Sequence, residues 1–178
     1  MLPSTFVDPK SVVRSLPMAP RGVVADFGCG AGYFSVEFAR AVGDDGEVIA
    51  IDVLPSALEA MESQIKTLGI KNIRTKRANL EREGGSGLQP GTVDWVVAKD
   101  ILFQNQNKEV ILREIARVLR SGGHALVMEW SPESPSVGPD AGSRLSADAL
   151  KELLAKSGLR VEQEIPVGAF HYAFLVTK

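Results

Sequence analysis

Cysteine is almost missing from this chain: Cys29 is the only one in 178 residues. A lone thiol closes no intrachain disulfide and builds no multi-cysteine metal site, so no metal is expected and a reducing cytoplasm is the expected setting. Long apolar runs are missing too. No stretch reaches the ~18 residues of a membrane span, and the opening MLPSTFVDPKSVVRSL has neither the charged start nor the apolar core of a signal peptide. Nor is there an excess of either charge: 20 Lys and Arg face 22 Asp and Glu, and no basic run is interleaved with aromatics. That leaves little for an electrostatic grip on a long nucleic acid.

What is there is apolar content, 44% of the residues, enough for one soluble domain over residues 1–178 with a sizeable core. Strand and helix patterns alternate along the chain, with no repeat. Gly22 to Phe27 is a short apolar run, read as a buried parallel strand. Phe34, Phe38 and Val42 then recur on one helical face, with Gly43 as cap. EVIAIDV is a second strand, followed by Pro55 at a helix start and by the stripe Leu58, Met61, Ile65 and Leu68. NIRTKRANL reads as a third strand, polar enough for a sheet edge, and EREGGSGLQPG as a surface loop. VDWVVAKD is the fourth strand, and Ile111, Ile115, Val118 and Leu119 mark a helix that stops near Gly122. HALVMEW is the fifth strand, and Ser146 caps a helix carrying Leu150, Leu153 and Leu154. LRVEQEIPV and FHYAFLVTK have too little between them for a crossover helix, so they are expected to pair as an antiparallel hairpin.

Five βα units and a terminal hairpin predict an open, mostly parallel, doubly wound α/β sheet with helices on both faces. Ligands then belong at the carboxyl ends of the strands, on the loops after Phe27, Asp52, Asn79, Ala98 and Glu129.

The first of those loops carries VVADFGCGAGYFSVEFA. Glycines after a buried strand let the backbone approach a ligand closely, with helix N–H groups facing it. Two ligands use such a turn, a dinucleotide and S-adenosylmethionine, and the spacing separates them. The dinucleotide fingerprint places glycine at positions one, three and six. Counting from Gly28, the third is Gly30, but the sixth is Tyr33 and the fifth is Gly32. Asp26, two residues ahead, would repel a pyrophosphate and suits an ammonium and a sulfonium.

VADFGCGAG resembles the first motif of the class I, Rossmann-like S-adenosylmethionine-dependent methyltransferases, and the element order, hairpin included, is similar over nearly the whole chain. VIAIDV resembles the second motif, which implies that Asp52 binds both ribose hydroxyls. RANL falls where the family flanks adenine, and LRSGGHALVMEW resembles its strand-five signature. Within the family the wording is most similar to the small ubiquinone and menaquinone biosynthesis methyltransferases.

The resemblance implies S-adenosylmethionine as cofactor, with S-adenosylhomocysteine as product, held by Asp26, Gly28, Cys29, Gly30, Gly32, Asp52, Val53, Leu54, Asn79, Leu80 and Lys99. Asn79 stands where the family more often has aspartate. Its side chain still hydrogen-bonds an adenine edge while Leu80 packs on the ring, with Val53 and Leu54 on the opposite face. Lys99 either offers its carbonyl to the amino group of the cofactor or is a solvated lysine. Cys29 contributes its backbone, with the thiol packed in the loop.

Methyl transfer from a sulfonium needs mainly alignment and desolvation, and a carbon or oxygen acceptor also needs a base. Lys99, Asp100, Glu129 and His171 are the polar residues near the expected active edge, and none stands in a diagnostic spacing. His171 reads as structural or catalytic, His124 as structural. Segments that set acceptor specificity in such enzymes are short here: Thr5 to Leu16, ILFQNQNK and SPESPSVGPDAGSRL. They suit a small-molecule acceptor under a partial lid that a second subunit of a homodimer would complete, with Phe103 and Trp130 as apolar walls. The rivals are a nicotinamide-dependent oxidoreductase, a non-catalytic S-adenosylmethionine-binding partner protein, and an RNA methyltransferase.

Overall fold

A computed structural model describes residues 6–133 and 137–178. Expectations that touch Thr5 or residues 134–136 fall outside the described residues.

The elements run in chain order as α1 (Pro9–Ser15), β1 (Val23–Phe27), α2 (Tyr33–Val42), β2 (Glu47–Asp52), α3 (Pro55–Leu68), β3 (Ile73–Arg77), β4 (Val93–Lys99), α4 (Lys108–Val118), β5 (Leu119–Trp130), a short 3-10 turn (Ala141–Ser143), α5 (Ala147–Lys156), β6 (Arg160–Ile165) and β7 (His171–Thr177). The strands form one seven-stranded sheet in the order β3-β2-β1-β4-β5-β7-β6. Strands β1 to β5 pair in parallel, whereas β7 is antiparallel to both β5 and β6. The mostly parallel α/β architecture and the terminal hairpin are therefore as the sequence pattern predicts. The polar strand β3 does lie at an edge.

Adjacent residues of β4 show how the sheet makes two cores. Val96 packs with Ile111 and Ile115 of α4 and Leu150 and Leu154 of α5, while Val97 packs with Val12 of α1, Phe38 of α2 and Met61 of α3. Successive side chains of a strand point to opposite faces, so a central strand buried on both sides reads as a continuous apolar run.

Four strands feed helices, not five. The chain passes from β3 to β4 through residues 78–92 without a helix among the described residues. Gly84, Gly85, Gly87 and Pro90 deprive that stretch of helical propensity. The loop is also anchored more deeply than a surface loop: Ser86 and Leu88 are buried. Buried Glu114 of α4 accepts the Ser86 backbone N–H at 3.0 Å and is paired with Arg117 at 2.7 Å.

Two boundaries also differ. Leu119 opens β5 opposite Val93 instead of closing α4, and the register then jumps to Trp95 opposite His124. Gly122, at φ +71°, sits in the resulting bulge, a conformation glycine adopts without cost. Leu68 is exposed at the end of α3, and Ile70, beyond the left-handed cap Gly69, packs on the core in its place. α1 itself is a helix that the sequence pattern does not announce. Asp8 caps it by accepting from Lys10 N–H at 3.2 Å, and Val12, Val13 and Leu16 bury one side of it in the core shared with Phe34 and Phe38 of α2. Among the described residues no helix is long and apolar enough to cross a membrane.

Candidate active site

The sheet winds outward from β1 in both directions, so the carboxyl ends of β1 and β4 part at a switch point. Ligands of open α/β sheets bind there. Two cavities occupy this edge, one of about 530 Å³ and one of about 390 Å³, and they share Gly28, Gly30 and Lys99.

The glycine loop is folded by its own backbone. Gly28 and Cys29 N–H both donate to the Ile51 carbonyl, at 2.8 and 3.0 Å, tying the loop to the end of β2. Asp52 accepts from Gly30 N–H and from Leu54 N–H, each at 3.0 Å. A β-carbon placed on Gly30 would meet nothing within 4 Å, so the loop faces open space at that residue. Gly32 lines neither cavity. It is the left-handed N-cap of α2, and a β-carbon there would lie 1.7 Å from Met61 Sδ.

The larger cavity is walled by Phe6, Val7, Pro9, Phe34 and Trp130, with Asp26, Cys29, Tyr33 and His171 among its other residues. Asp26 is buried and accepts from Ser35 Oγ at 2.5 Å. Burial, with Asp52 adding to it, raises its carboxyl to about 6 despite that bond. Burial likewise pushes the Cys29 thiol well above its usual range, and Asp26 and Asp52 reinforce the shift. A thiol held neutral is a packing group, not a nucleophile.

The smaller cavity is more polar and holds Asp52, Val53, Leu54, Asn79, Leu80, Asp100 and Gln104. Val53 and Leu54 are apolar yet exposed at 49% and 58%, and both line this cavity. Asn79 accepts from Glu81 N–H at 3.0 Å, which closes the turn leading to buried Leu80.

At the junction stands a cluster drawn from three strands. Lys99 ends β4, Asp100 follows it, Trp130 ends β5 and His171 begins β7. The antiparallel register places His171 opposite Trp130, so β7 starts at the edge where the parallel strands finish. Their rings lie 4.0 Å apart, centroid to centroid. Asp100 holds φ +55°, which aspartate tolerates better than most residues. Its carboxylate pairs with Lys99 Nζ and with His171 Nε2 at 3.1 Å. Lys99 is thus ion-paired and lies 5.9 Å from the Trp130 ring.

The sequence names these residues singly and misses the pairing, although the expected hairpin already implied that the start of FHYAFLVTK reaches the active edge. It does not single out Tyr33 as a cavity wall, while Phe6 and Pro9 lie in the segment from Thr5 to Leu16 that it assigns to the acceptor side. Three other residues lie elsewhere. Phe103 lines neither cavity. Glu129 is fully buried beneath the loop after β4, accepting from Leu102 N–H at 2.7 Å and Phe103 N–H at 3.3 Å. His124 stacks on Trp95 at 5.0 Å and meets Glu162 at 3.5 Å, far along β5 from the cleft.

Sheet order, antiparallel seventh strand and glycine cradle together are those of the class I methyltransferase fold. A family model described as a methyltransferase domain matches residues 20–163, and the chain belongs to that family. It is 36% identical over 109 residues to a ubiquinone/menaquinone biosynthesis C-methyltransferase of Haemophilus ducreyi, covering 61% of this chain and 41% of the relative. To the enzyme of that name from Klebsiella pneumoniae it is 32% identical over 139 residues, covering 76% of this chain and 54% of the relative. The chain thus spans about half the length of the curated relatives it matches. Among solved structures, a SAM-dependent methyltransferase from Aquifex aeolicus superposes with a TM-score of 0.88 at 23% identity, over 97% of this chain and 90% of that one. That likeness shows the fold.

Proposed function

We propose that this chain is a single S-adenosylmethionine-dependent methyltransferase domain acting on a small-molecule acceptor. The observation that carries the reading is the pair of cavities meeting at Gly28, Gly30 and Lys99, one polar, the other largely apolar. When bound, S-adenosylmethionine supplies a methyl group made electrophilic by its sulfonium.

The residues fit that ligand. Asp52, at the end of β2, accepts from both ribose hydroxyls in the smaller cavity. Asn79 and Leu80 meet the adenine, with Val53 and Leu54 on its other face. Gly28, Cys29 and Gly30 present backbone to the chain between ribose and ammonium, Gly32 sets the turn, and the Lys99 carbonyl receives the ammonium from the other side. Asp26 faces the same ammonium from the larger cavity. A cation beside that buried carboxyl offsets the desolvation that raises it and restores its charge.

The larger cavity takes the acceptor. The relatives' names point to carbon methylation of a quinone-type ring, and walls of Phe6, Pro9, Phe34 and Trp130 suit a flat apolar molecule. Tyr33, 67% exposed at the first turn of α2, occupies the position where a dinucleotide fold needs glycine for close packing. This disfavours the nicotinamide alternative.

Calorimetric titration with S-adenosylhomocysteine tests the assignment, with NADH in parallel. Micromolar binding of the first and none of the second is expected. A charge-assisted hydrogen bond contributes about 1.5–3 kcal/mol, so Asp52→Ala is expected to weaken S-adenosylhomocysteine by about 10- to 100-fold. Equal affinity in the variant would remove Asp52 from the site, and no binding to folded wild-type protein would remove the function.

A further inference from the structure

We propose that His171 is the base that takes the proton from the methyl acceptor, and that Asp100 positions it. The inference rests on the methyltransferase reading of the same cleft and adds to it the proton acceptor.

The argument starts from hydrogen-bond accounting. Both Asp100 oxygens lie near His171 Nε2, at 3.1 and 3.2 Å. An ionised carboxylate only accepts, so Nε2 carries the hydrogen. In the neutral ring the lone pair is then on Nδ1. That atom is buried and has no hydrogen-bond partner among the described residues, although the side chain is only 6% exposed. Buried polar atoms are nearly always paired, so an orphan in a residue that lines the cavity calls for an explanation.

Packing alone does not supply one. The Trp130 ring lies against His171, tilted by 36°, and Asp100 fixes the ring's rotation, so His171 is oriented from two sides while its remaining basic atom has no partner among the described residues. His171 lines the larger cavity together with Asp26 and Cys29 of the glycine-loop side and Tyr33 of α2. Asp26 is hydrogen-bonded to Ser35, the Cys29 thiol is held neutral, and Lys99 is bound to Asp100. With Asp26 given over to the cofactor ammonium, His171 is the group on that wall whose basic atom has no partner among the described residues.

The step balances. An oxygen or carbon of the acceptor bonds to the methyl carbon, and the carbon–sulfur bond breaks with its electron pair left on sulfur. The proton leaving the acceptor goes to Nδ1. The positive charge lost at sulfur reappears on the imidazolium, where the Asp100 carboxylate stabilises it, and the proton then passes to solvent. Acid–base assistance of this kind contributes typically about 10²- to 10⁴-fold.

Nitrogen NMR on the full chain reads the tautomer directly, since His124 is the only other histidine to assign. The expected spectrum has His171 with a protonated Nε2 and a bare Nδ1, and Asp100→Asn mixes the tautomers. A protonated Nδ1 in the neutral ring, or a tautomer indifferent to Asp100→Asn, overturns the proposal. The second readout uses 4-nitrophenol as a flat probe with an acidic hydroxyl, added to protein saturated with S-adenosylhomocysteine at a mildly acidic pH that keeps the free probe neutral. Wild type is expected to raise the phenolate band. His171→Gln is expected to lose it while binding S-adenosylhomocysteine within about twofold of wild type, which certifies the fold of the variant. No phenolate band in wild type, or an equal band in His171→Gln, refutes His171 as the base. Failure of wild type to bind S-adenosylhomocysteine at all would strike instead at the methyltransferase reading.

Discussion

Gly32 shows how much a single residue of the cradle decides. Its φ is +83°, and a β-carbon there collides with Met61, itself fully buried in the core. A non-glycine residue in the left-handed region costs about 1–2 kcal/mol, and forcing Met61 aside adds an overpacking cost of about 1–3 kcal/mol. Gly32→Ala is therefore expected to lower the unfolding free energy by about 2–5 kcal/mol, read from urea denaturation, whereas Gly30→Ala meets open space and should lose less. Glu129 acts through its charge. Burial raises its carboxyl to about 7, against the pull of the Leu102 and Phe103 N–H groups. A carboxyl that ionises later in the folded than in the unfolded chain makes the folded state hold the extra proton. Stability contributed by Glu129 thus falls as pH rises from about 4.5 to about 7. The span corresponds to roughly 3 kcal/mol, and Asp26, raised in the same direction, adds to it. Urea midpoints should decline across this window in wild type and decline less in Glu129→Gln, which keeps a carbonyl for Leu102 N–H. A midpoint that climbs with pH would contradict the burial argument. Asp26 and Asp52 stand out in the sequence from their places two residues ahead of Gly28 and at the end of the second strand; the support given by Glu129 does not, because its partners are backbone N–H groups that carry no sequence signature.

Elements differ in how openly they declare themselves. Strands β1, β2, β4 and the core of β5 are buried on both faces, so their apolar runs are plain in the sequence, and Pro55 and Ser146 mark their helices as expected. Helix α1 is short and half exposed, and Leu119 is apolar in either state, so periodicity alone cannot place the turn from α4 into β5. The stretch after β5 is the least legible. Its proline and glycine content says loop, but not that residues 137–144 fold back over Trp130. One side chain does that. Buried Arg144 donates to the carbonyls of Ser131, Val137 and Pro139 at 2.6–2.9 Å, and its guanidinium lies 5.7 Å from the Trp130 ring. Lysine has the charge but gathers its donors on one nitrogen, so it cannot reproduce the contacts that Nε, Nη1 and Nη2 of Arg144 make from three separate positions. The carbonyls so released must turn to water, which loosens the loop. Arg144→Lys is accordingly expected to make this loop the first site of limited proteolysis, with cleavage several-fold faster than in wild type. Unchanged cleavage would mean that Trp130 holds the loop without the arginine.

For the molecule as a whole, the order of elements was enough to locate the functional edge but not to divide it. The larger cavity owes part of its wall to β7 entering the sheet antiparallel, which sets His171 beside Trp130 and against Asp100, the latter 71 residues earlier in the chain. No local pattern encodes that separation. The two-chambered edge also ties ligand binding to global stability. S-adenosylhomocysteine in the smaller cavity would bridge the ends of β1, β2, β3 and β4, contacts available only in the folded chain. A ligand at a hundred times its Kd stabilises the folded state by about 2.7 kcal/mol, and in a chain of this size each kcal/mol moves Tm by about 2–4 °C. Scanning calorimetry should therefore show a rise of about 5–10 °C. At the same concentration Asp52→Ala, binding about 10- to 100-fold less tightly, should retain only about 0.4–1.4 kcal/mol of that gain, a rise of about 1–5 °C. NADH should leave Tm where it is. A wild-type Tm indifferent to S-adenosylhomocysteine would mean that Asp52 serves only to hold Gly30 and Leu54, the two N–H groups it already accepts from.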